Sequence, residues 1–370
     1  MLKRILYIAN ILVVLVLLGT YAGSFVRPEV APLLSLFNYL YPFALIVNVL
    51  FCILWLFLKW RFLFVPLGAM ILGADYIPRM IGMNAGSDAE GESLRVMTYN
   101  VANFSYESQN TNELRKRNID SIAEVIKAEN PDVLCLQEYS TPLRGQYSLH
   151  ACLKDKLGYS YHYSPWQTKS AIRGSTIYSK YPITRSGCPF PMKEQFYSFA
   201  FADIKHPSGI VRVYNVHLTS YGILEEEKSE IGELKKGNVP TKQTSLSVKD
   251  KLIEANKLRA EETRQLVEVL QQTNHKYIVA GDFNSTPYSY TYREMTKLTN
   301  DSFRKAGRGL SGTYNGPLPS YRIDYLFYSD GLKPLNYLCG DYLFSDHKPV
   351  IVEFEFEKEK RESSSDMTRQ

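Results

Sequence analysis

Cysteine is scarce in this 370-residue chain, and its spacing carries no ligand pattern. The five residues Cys52, Cys135, Cys152, Cys188 and Cys339 form no CxxC pair, and the one close histidine is His150 beside Cys152. That excludes a structural zinc site of the usual spacing and a dense disulfide framework, while a single bridge stays open. An excess of one charge is also lacking. Of the 43 Lys and Arg, six lie in residues 1–80, against Glu29 and Asp75, so residues 81–370 hold 37 basic and 36 acidic side chains. A near-neutral remainder offers no broad polyanion-binding surface, and four of the five net positive charges belong to the first 80 residues. No internal repeat is visible, and a hydrophobic content of 45% excludes the disordered and collagen-like classes.

Charge is missing altogether from residues 5–26 and 30–58, and either run is long enough as a helix to cross a hydrocarbon core of about 30 Å. We expect a membrane region over 1–79 with helices at about 5–26, 36–58 and 62–78. The third is the short one, since Asp75 interrupts it after 13 uncharged residues. Lys3 and Arg4 precede the first run while Lys59 and Arg61 follow the second, which puts both clusters in the cytoplasm by the positive-inside rule. If the third segment crosses, as we read it, the large C-terminal part is extracytoplasmic; if it only lies in the interface, that part is cytoplasmic. A cleaved signal peptide over residues 1–23 is the weaker reading, because two further apolar segments follow.

Residues 80–92 (MIGMNAGSDAEGE) are Gly-rich and acidic, as in a linker. Beyond them short runs rich in Val, Ile, Leu and Tyr predict strands at 94–101, 133–137, 176–179, 199–204, 211–218, 277–281, 323–328 and 349–356. Helical spacing marks 112–128 and 251–272. The mixture predicts one large α/β domain over 93–357, with residues 221–250 as a charged loop insertion and 358–370 as a disordered tail.

Polar residues punctuate the ends of these apolar runs, where burial is costly and function is a common reason for it. Asn100 ends RVMTYN, Glu138 ends PDVLCLQE, Asn215 and His217 interrupt VRVYNVHL, Asp282 and Asn284 end IVAGDFN, Asp324 sits in RIDYLF, and Asp346 with His347 precede KPVIVEF. Singly, each is better read as a cap, a solvated carboxylate or a hydrogen-bonded core histidine.

Taken in order, the words TYNV, PDVLCLQE, STIYSKYPI, NVHL, GDFN, RIDYLF and SDHKPV over about residues 94–356 resemble the endonuclease/exonuclease/phosphatase family, which includes deoxyribonuclease-I-like enzymes, neutral sphingomyelinases and inositol polyphosphate 5-phosphatases. The resemblance implies a four-layered α/β sandwich, two mixed sheets face to face and flanked by helices, with the site at one edge. It also implies a hydrolase that uses Mg²⁺ or Mn²⁺ to direct water onto a phosphate ester. Glu138 would be the principal ligand, assisted by Asn100, with Asp346 supplementary. Asp282 would orient or deprotonate the water, and Asn284 would donate to a phosphoryl oxygen or position that water. His347 would contact the phosphate and His217 would protonate the leaving group or contact the phosphate. We expect Asp324, not the adjacent Asp346, to hold the His347 imidazole, because neighbours on an extended segment point to opposite sides.

Tyr99 stands where many relatives carry Trp, and His217 places the chain nearer the deoxyribonuclease, sphingomyelinase and phosphatase branches than the base-excision nucleases. The substrate stays open between a lipid head group or other small phosphoester and a nucleic acid. Lys235 with Lys236, and Lys169 with Arg173, are the modest basic candidates for the latter. The competing class is a catalytically silent, membrane-tethered binding module, which the full set of site residues disfavours. The partners expected are the bilayer and the phosphorylated substrate.

Overall fold

The computed structural model describes residues 1–104, 111–189, 199–233, 237–316 and 319–357. The chain begins with α1 (Leu2–Phe25), α2 (Tyr41–Leu58) and α3 (Phe64–Leu72). Then follow β1 (Ile81–Met83), β2 (Ser93–Asn100), α4 (Asn112–Glu129), β3 (Val133–Pro142) and α5 (Leu149–Lys156). Strands β4 (Tyr161–Tyr163), β5 (Trp166–Gln167), β6 (Ala171–Ser179), β7 (Ile183–Gly187), β8 (Ala200–His206) and β9 (Gly209–His217) lead to helices α6 (Glu225–Gly232) and α7 (Lys242–Gln271). The rest is β10 (Lys276–Asp282), α8 (Tyr290–Met295), β11 (Asn300–Asp301), α9 (Ser302–Ala306), β12 (Arg308–Leu310), β13 (Asp324–Tyr328), β14 (Leu332–Cys339) and β15 (Val350–Phe356).

Two sheets dominate. One runs β11-β13-β10-β9-β8-β7; the other runs β14-β15-β2-β3-β6-β4, with β5 also on β6. The pairs β2–β3 and β9–β10 are parallel and the rest antiparallel, so both sheets are mixed. Alternation along each strand explains the layering. In β2, Leu94 and Val96 face the other sheet beside Val213, Ile278 and Leu326, whereas Met97 and Tyr99 pack with Ile122 and Ile126 of α4. Tyr214, Val216 and Val279 of the second sheet likewise meet Leu266 and Leu270 of α7. Each such aliphatic side chain, buried on both sheet faces, contributes roughly 1.5–3 kcal/mol. Helix, sheet, sheet, helix is the four-layered sandwich that the family resemblance implied.

Local chemistry starts and stops the helices. Thr111 caps α4 by accepting from the Leu114 amide, and Asn130 ends it at φ 46°, the left-handed turn that Asn tolerates. Thr241 caps α7 in the same way. Helix α7 starts nine residues before the periodic stretch read from the sequence. The charged insertion is therefore partly helical, its first turns held by Lys251 and Ser247 on Glu227. Side-chain bonds of this kind leave no hydrophobic period to read. The expected linker also differs: β1 pairs with β12, and Ser87 donates to the Leu335 carbonyl. Gly82 permits this, since a Cβ there would lie 2.3 Å from the Gly307 oxygen, so Gly richness marks a close backbone approach rather than slack. The tail expected at 358–370 lies outside the described residues.

α1 and the stretch Leu34–Leu58 are long and apolar enough to cross a membrane. Ile8, Leu12, Leu15, Ile46, Leu50 and Ile53 are exposed along them, while the buried Asn10 accepts at Oδ1 from Trp55 Nε1 at 3.0 Å. The third segment is α3 with 3₁₀ turns at both ends, Trp60–Leu63 and Ala74–Arg79. It runs back along α1: Phe62 stacks on Tyr7, Tyr21 donates to the Ala69 carbonyl, and Tyr76 meets Ser24. From Tyr7 to Ser24 is about 26 Å of helix axis. The sandwich docks at the end where α1 gives way to α2, through Glu29 to Arg264 at 2.5 Å and Phe25 under Arg293.

Candidate active site

Register brings the polar strand ends together. Asp282 closes β10 and is paired across the ladder with His217 on one side and Asp324 on the other, so three chemistry-bearing residues share one row. Asn100, from the facing sheet, donates Nδ2 to Asp282 Oδ2 at 3.0 Å and to Glu138 Oε1 at 3.1 Å. Glu138 lies in the bulge where the β3–β6 register shifts between Leu136 and Tyr139. Its φ of 48° and that of Asn284, also 48°, are left-handed conformations that non-glycine residues rarely hold without functional or structural support. Gly281 lets β10 approach β9 here, since at φ 150° a Cβ would sit 1.9 Å from the Val216 oxygen.

Two imidazoles face these carboxylates. His217 Nε2 is 3.6 Å from both Glu138 Oε1 and Asp282 Oδ2. His347 Nε2 is 3.6 Å from Asp282 Oδ2, and its Nδ1 is 2.9 Å from Asp324 Oδ2. Asp324, not Asp346, thus orients His347, and Thr313 Oγ1 fixes Asp324 by accepting from its amide. Ser345 ties the SDH turn to β2 by donating to the Asn100 carbonyl at 2.7 Å. Burial by itself would push the His347 imidazole down, but the Asp324 and Asp282 carboxylates more than offset this and hold it well above its usual range. Burial also pushes the Asp324 carboxyl up.

Burial sorts the residues. Asp282, Asp324 and His217 are about 1% exposed, whereas the Glu138 side chain is 36% exposed. Glu138, Asp346 and His347 line one cavity of about 360 Å³. Two carboxylates there, neither buried, are the hard oxygen donors that a hydrated divalent cation accepts. Asp282, Asp324 and His347 also bring donor atoms within 4.8 Å of one another. Asp324, however, already has both oxygens on His347 Nδ1, at 3.2 and 2.9 Å, so this trio suits proton handling better.

Two expectations change. The Asn100 amide turns its nitrogen toward the carboxylates while its Oδ1 accepts from the Ala102 amide at 3.0 Å; it positions Glu138 rather than ligating through oxygen. Asn284 donates Nδ2 to the Leu218 carbonyl at 3.0 Å and to Asp282 Oδ2 at 3.3 Å. One amide hydrogen goes to Leu218 and the other to Asp282, which leaves none for a phosphoryl oxygen. Asn215 is a strut between the sheets, donating to the Leu136 and Thr176 carbonyls. Lys235 and Lys236 lie outside the described residues.

Sequence reasoning missed Tyr39, Tyr221 and Arg259. Arg259 of α7 is fully buried, donates to the Thr219 carbonyl and Asn256 Oδ1, and lies 4.4 Å from the Tyr221 ring. A charged residue at a core-facing position of a helical period was the available signal.

Residues 97–347 match the model of the Endonuclease/Exonuclease/phosphatase family, and residues 3–80 match that of a Domain of unknown function (DUF8431). No curated protein matches the chain. Among solved structures, the endonuclease/exonuclease/phosphatase from Bacteroides vulgatus is 17% identical with a TM-score of 0.50, over 72% of this chain and 100% of that one. The same family's protein from Beutenbergia cavernae is 18% identical, TM-score 0.49, over 72% of each chain. The human Nocturnin catalytic domain is 18% identical, TM-score 0.47, over 75% of this chain and 96% of that one. At such identities structural likeness speaks to fold alone.

Proposed function

The chain belongs to the endonuclease/exonuclease/phosphatase family, and from that premise we propose that it is a membrane-anchored, divalent-metal-dependent phosphoesterase. The observation that carries this reading is the convergence of Asn100, His217, Asn284 and His347 on one buried carboxylate, Asp282, beside the half-exposed Glu138. Glu138 and Asp346 would hold Mg²⁺ or Mn²⁺, which supplies charge neutralisation for the phosphoryl oxygens. Asp282 takes a proton from the attacking water, held to that task by the Asn284 amide and the Asn100 side chain. His347, kept charged by Asp324, sits against the phosphate. His217 serves the leaving oxygen. Removing divalent ions with a chelator is expected to lower hydrolysis of bis(p-nitrophenyl) phosphate or p-nitrophenyl phosphate to background, with Mg²⁺ or Mn²⁺ restoring it. Activity that survives chelation refutes the metal requirement.

The membrane reading rests on the exposed apolar faces of α1 and α2 and on the third segment's return along α1. With Lys3, Arg4, Lys59 and Arg61 at the cytoplasmic end, the sandwich, docked at the other end, lies outside the cytoplasm. Cys188 is exposed on the sandwich, so a membrane-impermeant maleimide should label it in sealed right-side-out vesicles, and Cys188→Ser should remove that label. Labelling only after permeabilisation would reverse the orientation.

A further inference from the structure

The cavity that holds Glu138, Asp346 and His347 is walled on its far side by Tyr39, Tyr221 and Leu252. Leu252 comes from the early turns of α7, and Tyr221 from the segment after β9. Tyr39 comes from elsewhere: it belongs to the connection between the two apolar helices. Its position is set by the sandwich, since its hydroxyl donates to Asn256 Oδ1 at 3.0 Å and accepts from Arg259, and its carbonyl accepts from the Tyr321 hydroxyl at 2.6 Å. Its ring lies 6.2 Å from Tyr221 and 6.0 Å from Tyr321. Four residues on, Phe43 is exposed on α2, and Ile46 and Leu50 continue that exposed apolar face. The aromatic wall of the cavity and the membrane-facing belt are therefore successive turns of one chain segment. Tyrosine at this junction suits the boundary between headgroup and hydrocarbon.

Resting on the phosphoesterase reading above, we infer that the substrate is a phospholipid presented by the bilayer that carries α1 and α2. Its phosphate sits between Glu138 and His347, and the adjoining apolar portion lies on Tyr39, Tyr221 and Leu252. The cavity of about 360 Å³ takes a head group and the first part of a lipid rather than a duplex groove. Among the described residues its one lysine is Lys228, not the row of cations that a nucleic-acid backbone demands. The near equality of 37 basic and 36 acidic residues beyond position 80 agrees.

The test uses the full chain in detergent micelles with Mg²⁺ and five probes: p-nitrophenyl phosphate, bis(p-nitrophenyl) phosphate, dioctanoyl phosphatidic acid, dioctanoyl phosphatidylglycerol and a single-stranded DNA oligonucleotide. An apolar contact in a pocket discriminates by about 10–200-fold, so one lipid should exceed the matching nitrophenyl ester in kcat/KM by roughly 100-fold. Leu252→Gln, and separately Val248→Gln, one helical turn earlier on α7 and also lining the cavity, should lower kcat/KM for that lipid about 10-fold more than for the nitrophenyl ester, through KM. Lipids no better than the nitrophenyl esters, or DNA as the preferred probe, overturn the lipid assignment and leave a phosphoesterase standing. No hydrolysis of any probe overturns the phosphoesterase reading and the lipid assignment with it.

Discussion

Asp282→Asn is expected to lower kcat for phosphate-ester hydrolysis about 10³-fold, within the range by which a positioned general base contributes. The substitution keeps shape and removes the basic oxygen. Its oxygen can still accept from the Asn284 amide, as Asp282 Oδ1 does at 2.8 Å. The new amide, however, turns a donor toward Asn100 Nδ2, which now donates to Asp282 Oδ2. Two donors facing each other in a buried place cost about 1–3 kcal/mol, so the variant should unfold at slightly lower denaturant and still give a native circular dichroism spectrum. Fold and chemistry are then read separately. A variant retaining more than about a tenth of wild-type kcat would remove Asp282 from the proton-accepting position.

The second large effect concerns Asp324. Asp324→Asn leaves His347 Nδ1 a hydrogen-bonding neighbour but takes away the carboxylate at 2.9 Å, which holds the imidazole charged. Burial then acts on His347 against two carboxylates, Asp282 and the lesser Asp346, instead of three. The sign follows: a pKa raised in the folded chain keeps the charged form through neutral pH and surrenders it only as pH climbs through that raised value. The contribution of the His347 proton to stability is therefore complete below the unfolded imidazole value of about 6.5 and is lost at alkaline pH. In the variant the alkaline limb of kcat/KM should move down toward about 6.5, with kcat at neutral pH lower by about 10²–10⁴-fold. An unchanged pH profile would mean that His347 does not act as a cation.

The polar cluster that forms the candidate site was legible because its signal is local. Asn100, Glu138, His217, Asp282 and His347 are each a polar residue where an apolar run stops, and the runs themselves became β2, β3, β9, β10 and β15. Strand geometry spoke against Asp346 as the partner of His347, and the family resemblance pointed to Asp324. What escaped reading depends on distant partners. Tyr39 acquires its place from Asn256, 217 residues away in sequence, and no window over residues 34–58 separates it from a membrane-facing aromatic. The parts that Asn100 and Asn284 take were set by which atoms their neighbours occupy, which the residue type leaves open. The short strands β4, β5, β11 and β12 carry two or three residues each, too few for a period, and they form because longer neighbours offer an edge.

The bond from Tyr39 to Asn256 also bears on how the protein is handled. A fragment beginning at Ser93 would shed one side of the cavity along with α1–α3. Arg259, which now meets the Tyr39 hydroxyl at 3.4 Å, would open to water at that side. Such a fragment would report on a widened, wetter vessel, and selectivity measured with it would belong to the cut rather than to the intact protein.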